Sequence, residues 1–187
     1  MSTLLSTVVS AFGFWFEALD QSFYQKVRSL TFLRFGNSFL KAYTRLGDWS
    51  FTTILLLSVL ILLPKMQWPM IYSHALLNTL LSFGVYWVVK NTVRRPRPFV
   101  KYQKVAEVPP LDTFSFPSGH TMNNLAIGYT LMTYSPWLGA VAIFFPITCG
   151  LLRVYYNVHY LTDVIGGLVL GFLCAWLGSF LLAWALV

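Results

Sequence analysis

Charge is what this chain has least of. Asp, Glu, Lys and Arg make up 10% of its 187 residues, and only six residues are acidic. A soluble domain carries about a quarter charged residues, so an ordinary water-soluble fold is excluded and the chain belongs in lipid. Six carboxylates spread along the sequence offer no cluster to hold a hard divalent cation, and neither a metal nor any other cofactor is expected. Cysteine is equally scarce. Cys149 and Cys174 sit inside apolar runs without metal-ligand spacing, and they read as small core or lipid-facing residues. No RNA- or DNA-binding motif accompanies the net charge of +7, so nucleic acid is not an expected partner. The basic excess reads instead as facing anionic headgroups or an anionic substrate.

What the chain has in quantity is apolar surface: 57% of residues are hydrophobic and 18% aromatic, with Trp and Tyr frequent near the ends of apolar runs. Rings of that kind settle at the headgroup level of a bilayer. Residues 1–16 are uncharged but short for a bilayer core of about 30 Å, and read as an interfacial or re-entrant segment. No basic start marks them as a signal peptide. From Asp20 to Asp48, apolar residues three or four apart alternate with cations, the pattern of amphipathic helix in the headgroup plane, broken near Gly36-Asn37.

Trp49 to Leu63 is the first convincing span, closed by Pro64 and Lys65. Residues 66–89 form a second, with His74 and Asn78 read as interhelical hydrogen-bonding residues. A basic loop from Lys90 to Pro117 follows, and then residues 113–152 carry no Asp, Glu, Lys or Arg. Forty such residues are too many for one span, and Ser135-Pro136 divides them into two helices. Val164 to Val187 makes the last span, in which Gly167 and Gly171 form a small-xxx-small packing pair. The expected fold is all-α: a multi-pass membrane bundle of five transmembrane helices plus an N-terminal interfacial or sixth membrane helix. Residues 1–48 are expected to form a membrane-associated collar and 49–187 the transmembrane helix bundle.

Counting directions along these spans brings three polar clusters to one membrane face. The first is Lys90 to Pro98, where Arg97 lies between two prolines that stiffen its backbone. The second is Pro117-Ser118-Gly119-His120, a helix start whose backbone N–H groups and dipole make an anion site. The third is Arg153 to Asp163. His159 and Asp163 are four apart and would share a helix face, letting the carboxylate fix the imidazole tautomer and support a nucleophile or base. Arg153 adds a permanent charge suited to phosphate.

Taken singly, each cluster could be a basic membrane flank, a capped helix start or a juxtamembrane ion pair. Together they match K-x6-RP, PSGH and R-x5-H-x3-D, and from about Trp49 onward the chain resembles the type 2 phosphatidic acid phosphatase superfamily of integral membrane lipid phosphatases. The resemblance implies that His159 attacks phosphorus to give a phosphohistidine, that Asp163 orients it, and that His120 is the general acid and then the base for water. It implies that Lys90, Arg97, Ser118, Gly119 and Arg153 bind the phosphoryl oxygens, without a metal. The family's Ser before the arginine of the third motif is Leu152 here, which removes one hydroxyl contact.

The expected partners are a phosphorylated membrane lipid and the bilayer, with no obligate protein partner. Phosphatidic acid, phosphatidylglycerol phosphate, a polyprenyl diphosphate and a lipid A phosphate all fit. Phosphotransfer to another lipid is an alternative, as is, in a different class, a non-enzymatic anion or lipid carrier. The soluble vanadium haloperoxidases share the motifs but not the apolar composition. Of thirteen Lys and Arg residues, only Lys65 falls opposite the motifs, which by the positive-inside rule places the active face in the cytoplasm. The resemblance points instead to the extracytoplasmic face of a bacterial inner (plasma) membrane, and that face is the expectation.

Overall fold

The apolar runs become helices whose ends, rather than whose middles, carry the polar chemistry. A computed structural model of the chain describes residues 16–30, 37–48 and 50–185. The interfacial or re-entrant segment expected over residues 1–16 and the break expected near Gly36-Asn37 fall outside these, apart from Phe16 and Asn37. Among the described residues there are helices and no strand. Residues 16–28 are helical (α1); α2 runs over Asn37–Leu46, α3 over Ser50–Leu62 and α4 over Trp68–Val93, the short α5 over Pro98–Lys101, α6 over Gly119–Tyr134, α7 over Pro136–Tyr155 and α8 over Leu161–Ala185.

Their boundaries follow from local chemistry. Pro69 sits in the first turn of α4, where its missing N–H costs nothing. Arg94 then ends that helix in the left-handed conformation at φ 49°, its N–H closing on the Lys90 carbonyl. Ser135 caps α7 by accepting from Leu138 N–H, with Pro136 at the first helical position. The division expected at Ser135-Pro136 is therefore present.

Five helices, α3, α4, α6, α7 and α8, stand where five spans were expected, but among the described residues length and apolarity qualify two, α7 and α8, to cross a membrane. The reason lies in where each helix sits. Helix α6 is packed among α4, α7 and α8 and buries ten of its residues, including His120, Thr121, Asn124 and Thr130. Sheathed by its neighbours, it can be short and polar. Helix α4 is long, but His74, Asn78, Ser82 and Lys90 on its buried face dilute its hydropathy. The outer surface is the reverse: Ile165, Val169, Phe172, Trp176 and Phe180 of α8 are all exposed, an apolar exterior that suits lipid rather than water.

Several interior polar side chains find partners inside the bundle. His74 meets Ser179 Oγ at 2.8 Å and Tyr134 Oη at 3.3 Å, the interhelical role expected of it. Asn78 donates to Thr130 Oγ1 at 2.8 Å. Gly167 and Gly171 lie against the backbone of α6 at Ser118 and Met122, so the small-xxx-small pair is a packing device. Cys149 and Cys174 are buried and free.

Helices α6 and α7 approach closely where Gly139 faces Met132: a Cβ there would run into the Met132 backbone. We expect Gly139→Ala to destabilise the bundle by about 1–3 kcal/mol, the usual cost of overpacking, read as a lower unfolding temperature in detergent. Gly84→Ala, on exposed helix surface with no atom within 4 Å of the new carbon, should cause no loss.

Candidate active site

One end of the bundle gathers the last turn of α4, the first turn of α6, the last turn of α7 and the first turn of α8. All three sequence clusters lie there. Arg97 Nη1 stands 3.4 Å from His159 Nε2, and Arg153 Nη1 stands 3.0 Å from His120 Nε2. His120, His159, Arg97, Arg153 and Gly119 line one cavity of about 320 Å³, whose far wall of Thr52, Thr79, Phe83 and Ile127 is largely apolar. Lys90 stands just behind that lining, its Nζ donating to Tyr86 Oη at 3.0 Å and to Asp112 Oδ2 at 2.8 Å.

Two sequence expectations are revised by local geometry. His159 is not on a helix with Asp163, because α8 begins at Leu161. The pair is brought together by a capping arrangement instead: Asp163 Oδ2 accepts from Tyr160 N–H at 2.8 Å, the reciprocal half of a capping box. This leaves Oδ2 3.4 Å from His159 Nδ1. Nδ1 has no hydrogen bond of acceptable geometry, so the dyad is adjacent but not closed. The second revision concerns the N–H groups at Ser118 and Gly119. Ser118 N–H is occupied by the Asp163 carbonyl at 3.1 Å and its hydroxyl accepts from Thr121 at 2.9 Å, which leaves Gly119 on the cavity wall. A side chain at 119 would strike the Tyr86 ring.

The loop from α7 to α8 aims His159. Asn157 takes a left-handed turn at φ 65°, which asparagine tolerates better than most residues. The N–H groups of Val158 and His159 both close on the Arg153 carbonyl. Arginine and histidine of the third motif are thus tied through the backbone.

Sequence reasoning missed the role of every carboxylate except Asp163. Each of the six acidic residues has a cationic or imidazole partner: Glu17 with Lys101, Asp20 with Arg95, Asp48 with His120, Glu107 with Arg28, Asp112 with Lys90 and Arg97, and Asp163 with Arg95 and His159. Asp112 receives Arg97 Nη2 at 2.7 Å, Lys90 Nζ at 2.8 Å and the Tyr86 hydroxyl. It therefore holds, with a carboxylate, two of the three cations expected to bind phosphate. Arg95, also missed, bridges Asp163 Oδ1 and Asp20 Oδ2 at 2.7 Å each and stacks on the Tyr160 ring. Asp20 in turn accepts from Thr162 N–H at the start of α8. The one available signal was the scarcity of acid itself: in an apolar chain a carboxylate is kept where a charge needs it.

Electrostatics follow from this wiring. Burial opposes ionisation of Asp112, but hydrogen bonds from Lys90 and Tyr86 and the charges of Lys90 and Arg97 outweigh it and pull the carboxyl down to about 2. The hydrogen bond from His120 holds Asp48 below the usual carboxylate range. Burial first, and then the charges of Arg97, Arg153 and Lys90, hold the His159 imidazole well below its ordinary value. A neutral imidazole among cations keeps a free lone pair, as a nucleophile requires. Among the described residues no group of His, Cys, Asp and Glu has the arrangement of a metal site.

Comparison with known proteins gives a consistent picture. The family model of the PAP2 superfamily matches residues 70–185. The chain is 36% identical over 97 residues to phosphatidylglycerophosphatase B of Bacillus subtilis (strain 168), covering 46% of this chain and 45% of that protein. It is 33% identical over 104 residues to the undecaprenyl-diphosphatase BcrC of the same organism, covering 56% and 54%. The chain thus matches about half the length of these curated relatives. Among solved structures, Aquifex aeolicus LpxE has the same fold, with a TM-score of 0.70 at 22% identity over 85% of this chain and 93% of that one. The PAP2-type phosphatidylglycerolphosphate phosphatase from Bacillus subtilis superposes with a TM-score of 0.66 at 26% identity, covering 88% and 85%.

The cation ring around His159 has a spectroscopic consequence. In ¹⁵N-histidine spectra of the detergent-solubilised protein at pH 6, His159 should remain neutral while an unperturbed imidazole is mostly protonated. Arg97→Gln removes the largest of the charge effects and should move its titration upward. A His159 resonance that titrates like a free imidazole in the wild type would contradict the geometry.

Proposed function

The chain belongs to the PAP2 superfamily, and from that premise we propose that it is a membrane lipid phosphatase. Its substrate would be a phosphomonoester or diphosphate on a lipid, and its intermediate a phosphohistidine on His159. One observation carries this reading: two imidazoles, His120 and His159, border one cavity with three buried cations at its edge. Such a cavity takes a tetrahedral anion and has a nucleophile and an acid beside it.

The chemistry runs as follows. His159 Nε2 attacks phosphorus while its Nδ1–H closes the short gap to Asp163, whose carboxylate orients the ring and stabilises the positive charge it acquires; P–N cleavage later returns the ring to its neutral form. The phosphorus–oxygen bond to the lipid breaks, its electron pair passes to the leaving oxygen, and His120 protonates that oxygen. Water then attacks phosphorus, giving its proton back to His120, the phosphorus–nitrogen bond breaks, and inorganic phosphate leaves. Lys90, Arg97, Arg153 and the Gly119 N–H stabilise the charge spread over the phosphoryl oxygens. Ser118 supports that turn through its bonds to Asp163 and Thr121. These protein cations supply the charge stabilisation, so the proposed reaction needs no metal. Asp112 must yield Lys90 and Arg97 to the incoming phosphate.

The apolar wall of Thr52, Thr79, Phe83 and Ile127 draws from α3, α4 and α6, which supports an acyl or prenyl chain entering sideways from the bilayer. In this reading all five helices, α3, α4, α6, α7 and α8, cross the membrane, residues 49–187 are the catalytic bundle and residues 1–48 its collar. We place the active end on the extracytoplasmic face of a bacterial inner membrane. The basic excess at that end is weaker than a count suggests, since Arg28, Lys90, Arg95, Arg97 and Lys101 are each paired with a carboxylate. Accessibility of single cysteines placed between Lys101 and Leu111 tests that side.

Phosphate release in detergent from phosphatidic acid, phosphatidylglycerol phosphate, a polyprenyl diphosphate and a lipid A phosphate is the direct assay. His159→Ala should abolish it, and His120→Ala should slow it by roughly 10²–10⁴-fold, the range for general acid–base catalysis. Undiminished release by His159→Ala would reject the reading. Asp112→Asn, which removes the competing carboxylate, should tighten inorganic phosphate binding on the order of tenfold by raising the fraction of binding-competent site. Titration calorimetry reads that change.

A further inference from the structure

Asp48 stands outside all three motifs, in the turn between α2 and α3, yet its Oδ1 lies 2.6 Å from His120 Nε2. The approach is built. Asn124, one turn into α6, donates to the Gly47 carbonyl at 2.9 Å and to the His120 carbonyl at 2.8 Å, clamping the turn to the helix that bears the histidine. Thr52 donates to Asn124 Oδ1 at 3.0 Å, which fixes the amide's orientation. Gly47 has no room for a side chain, since a Cβ would strike the His120 ring. Asp48 is itself on the cavity wall.

His120 Nε2 also faces Arg153 Nη1 at 3.0 Å. These two contacts demand opposite states. A bond to Asp48 requires a proton on Nε2; a bond from Arg153 requires a lone pair there. The shorter distance and the charge of the carboxylate favour the proton. Nδ1, which has no partner among the described residues and is not an orphaned buried atom, is then left for the cavity.

We propose that Asp48 is the positioning residue of His120. It holds Nε2–H, selects the tautomer, and stabilises the imidazolium while Nδ1 gives its proton to the leaving oxygen and recovers one from water. This rests on the phosphatase reading, in which His120 is the acid. Several groups face the ring or lie near it: Asp48 from the α2–α3 turn, Arg153 and Cys149 from α7, Tyr86 from α4 beside Gly119, and Arg97 and His159 from the two loops. The two arginines oppose the imidazolium, and Asp48 is the carboxylate in contact with it.

The test has a part that needs no turnover. In ¹⁵N-histidine spectra of the wild type at neutral or higher pH, His120 should carry its proton on Nε2. A bare Nε2 overturns the proposal, whether or not the protein is a phosphatase. For catalysis, Asp48→Asn should lower kcat on a phosphorylated lipid by about 10–100-fold, a moderate share of the general-acid effect, with KM little changed. The basic limb of its pH profile should move to lower pH, since the imidazolium loses its carboxylate. On p-nitrophenyl phosphate, whose leaving group needs little protonation, the loss should be small, and Asp48→Glu should recover part of the lipid activity. Equal losses on both substrates, with vanadate binding also lost, would mean a structural role and refute the proposal. If the wild type releases phosphate from no lipid, the phosphatase reading fails while the Nε2 result still decides the contact.

Discussion

Three cations with almost no solvent contact have to be neutralised, and the architecture of this protein is arranged around that requirement. Lys90, Arg97 and Arg153 are 4%, 1% and 2% exposed, and an unpaired buried charge costs several kcal/mol. Asp112 answers two of them. Arg153 has no carboxylate in direct contact among the described residues: its Nη1 faces His120 and its Nε has no partner. Compensation on the Arg153 side is therefore indirect: Asp48 meets the same His120 nitrogen that Arg153 faces.

Placing so many charges inside an apolar bundle works only where helices end. Side chains on a helix terminus can reach the axis of a bundle without an intervening ring of polar neighbours, and their backbone groups are free to bond outward. The structure uses this four times, at Lys90, Gly119, Arg153 and Asp163. Asp163 shows how closely stability and chemistry are joined. Its carboxylate caps α8 through Tyr160 N–H, binds Arg95 and stands beside His159 Nδ1. Its main-chain carbonyl accepts from Ser118 N–H, so α8 is tied to the start of α6 at the point where the second histidine begins.

The sequence made the helices and the three motifs legible because both are local or nearly so. Apolar runs bounded by Pro64, by Ser135-Pro136 and by Asp163 mark helices without knowledge of their neighbours, and fixed spacing marks Arg153, His159 and Asp163 as a unit. Membrane-crossing capacity was harder to read, since α6 owes its low apolarity to burial among three other helices. The carboxylates were illegible for a different reason. Asp48 and Asp112 lie 72 and 22 residues from their partners His120 and Lys90, and no spacing rule links a turn after α2 to the first turn of α6. The helical reading of His159 and Asp163 set the right residues side by side by the wrong route: they are four positions apart, but through a capped turn that stops short of a hydrogen bond.

The amphipathic part before residue 49 contributes more than a collar would. Asp20, on α1, reaches Arg95 and accepts from the N–H and the hydroxyl of Thr162 at the start of α8, and through Arg95 it supports the carboxylate beside His159. Asp48, at the end of the α2 segment, contacts His120 directly. Each imidazole is therefore backed by an aspartate from the N-terminal part, one through an arginine and one without an intermediary. A carboxylate released from either place leaves a buried cation or imidazole uncompensated, so seating of this segment and the electrostatic state of the cavity are one equilibrium. The N-terminal helices and the cavity cannot be varied independently, although they share no motif.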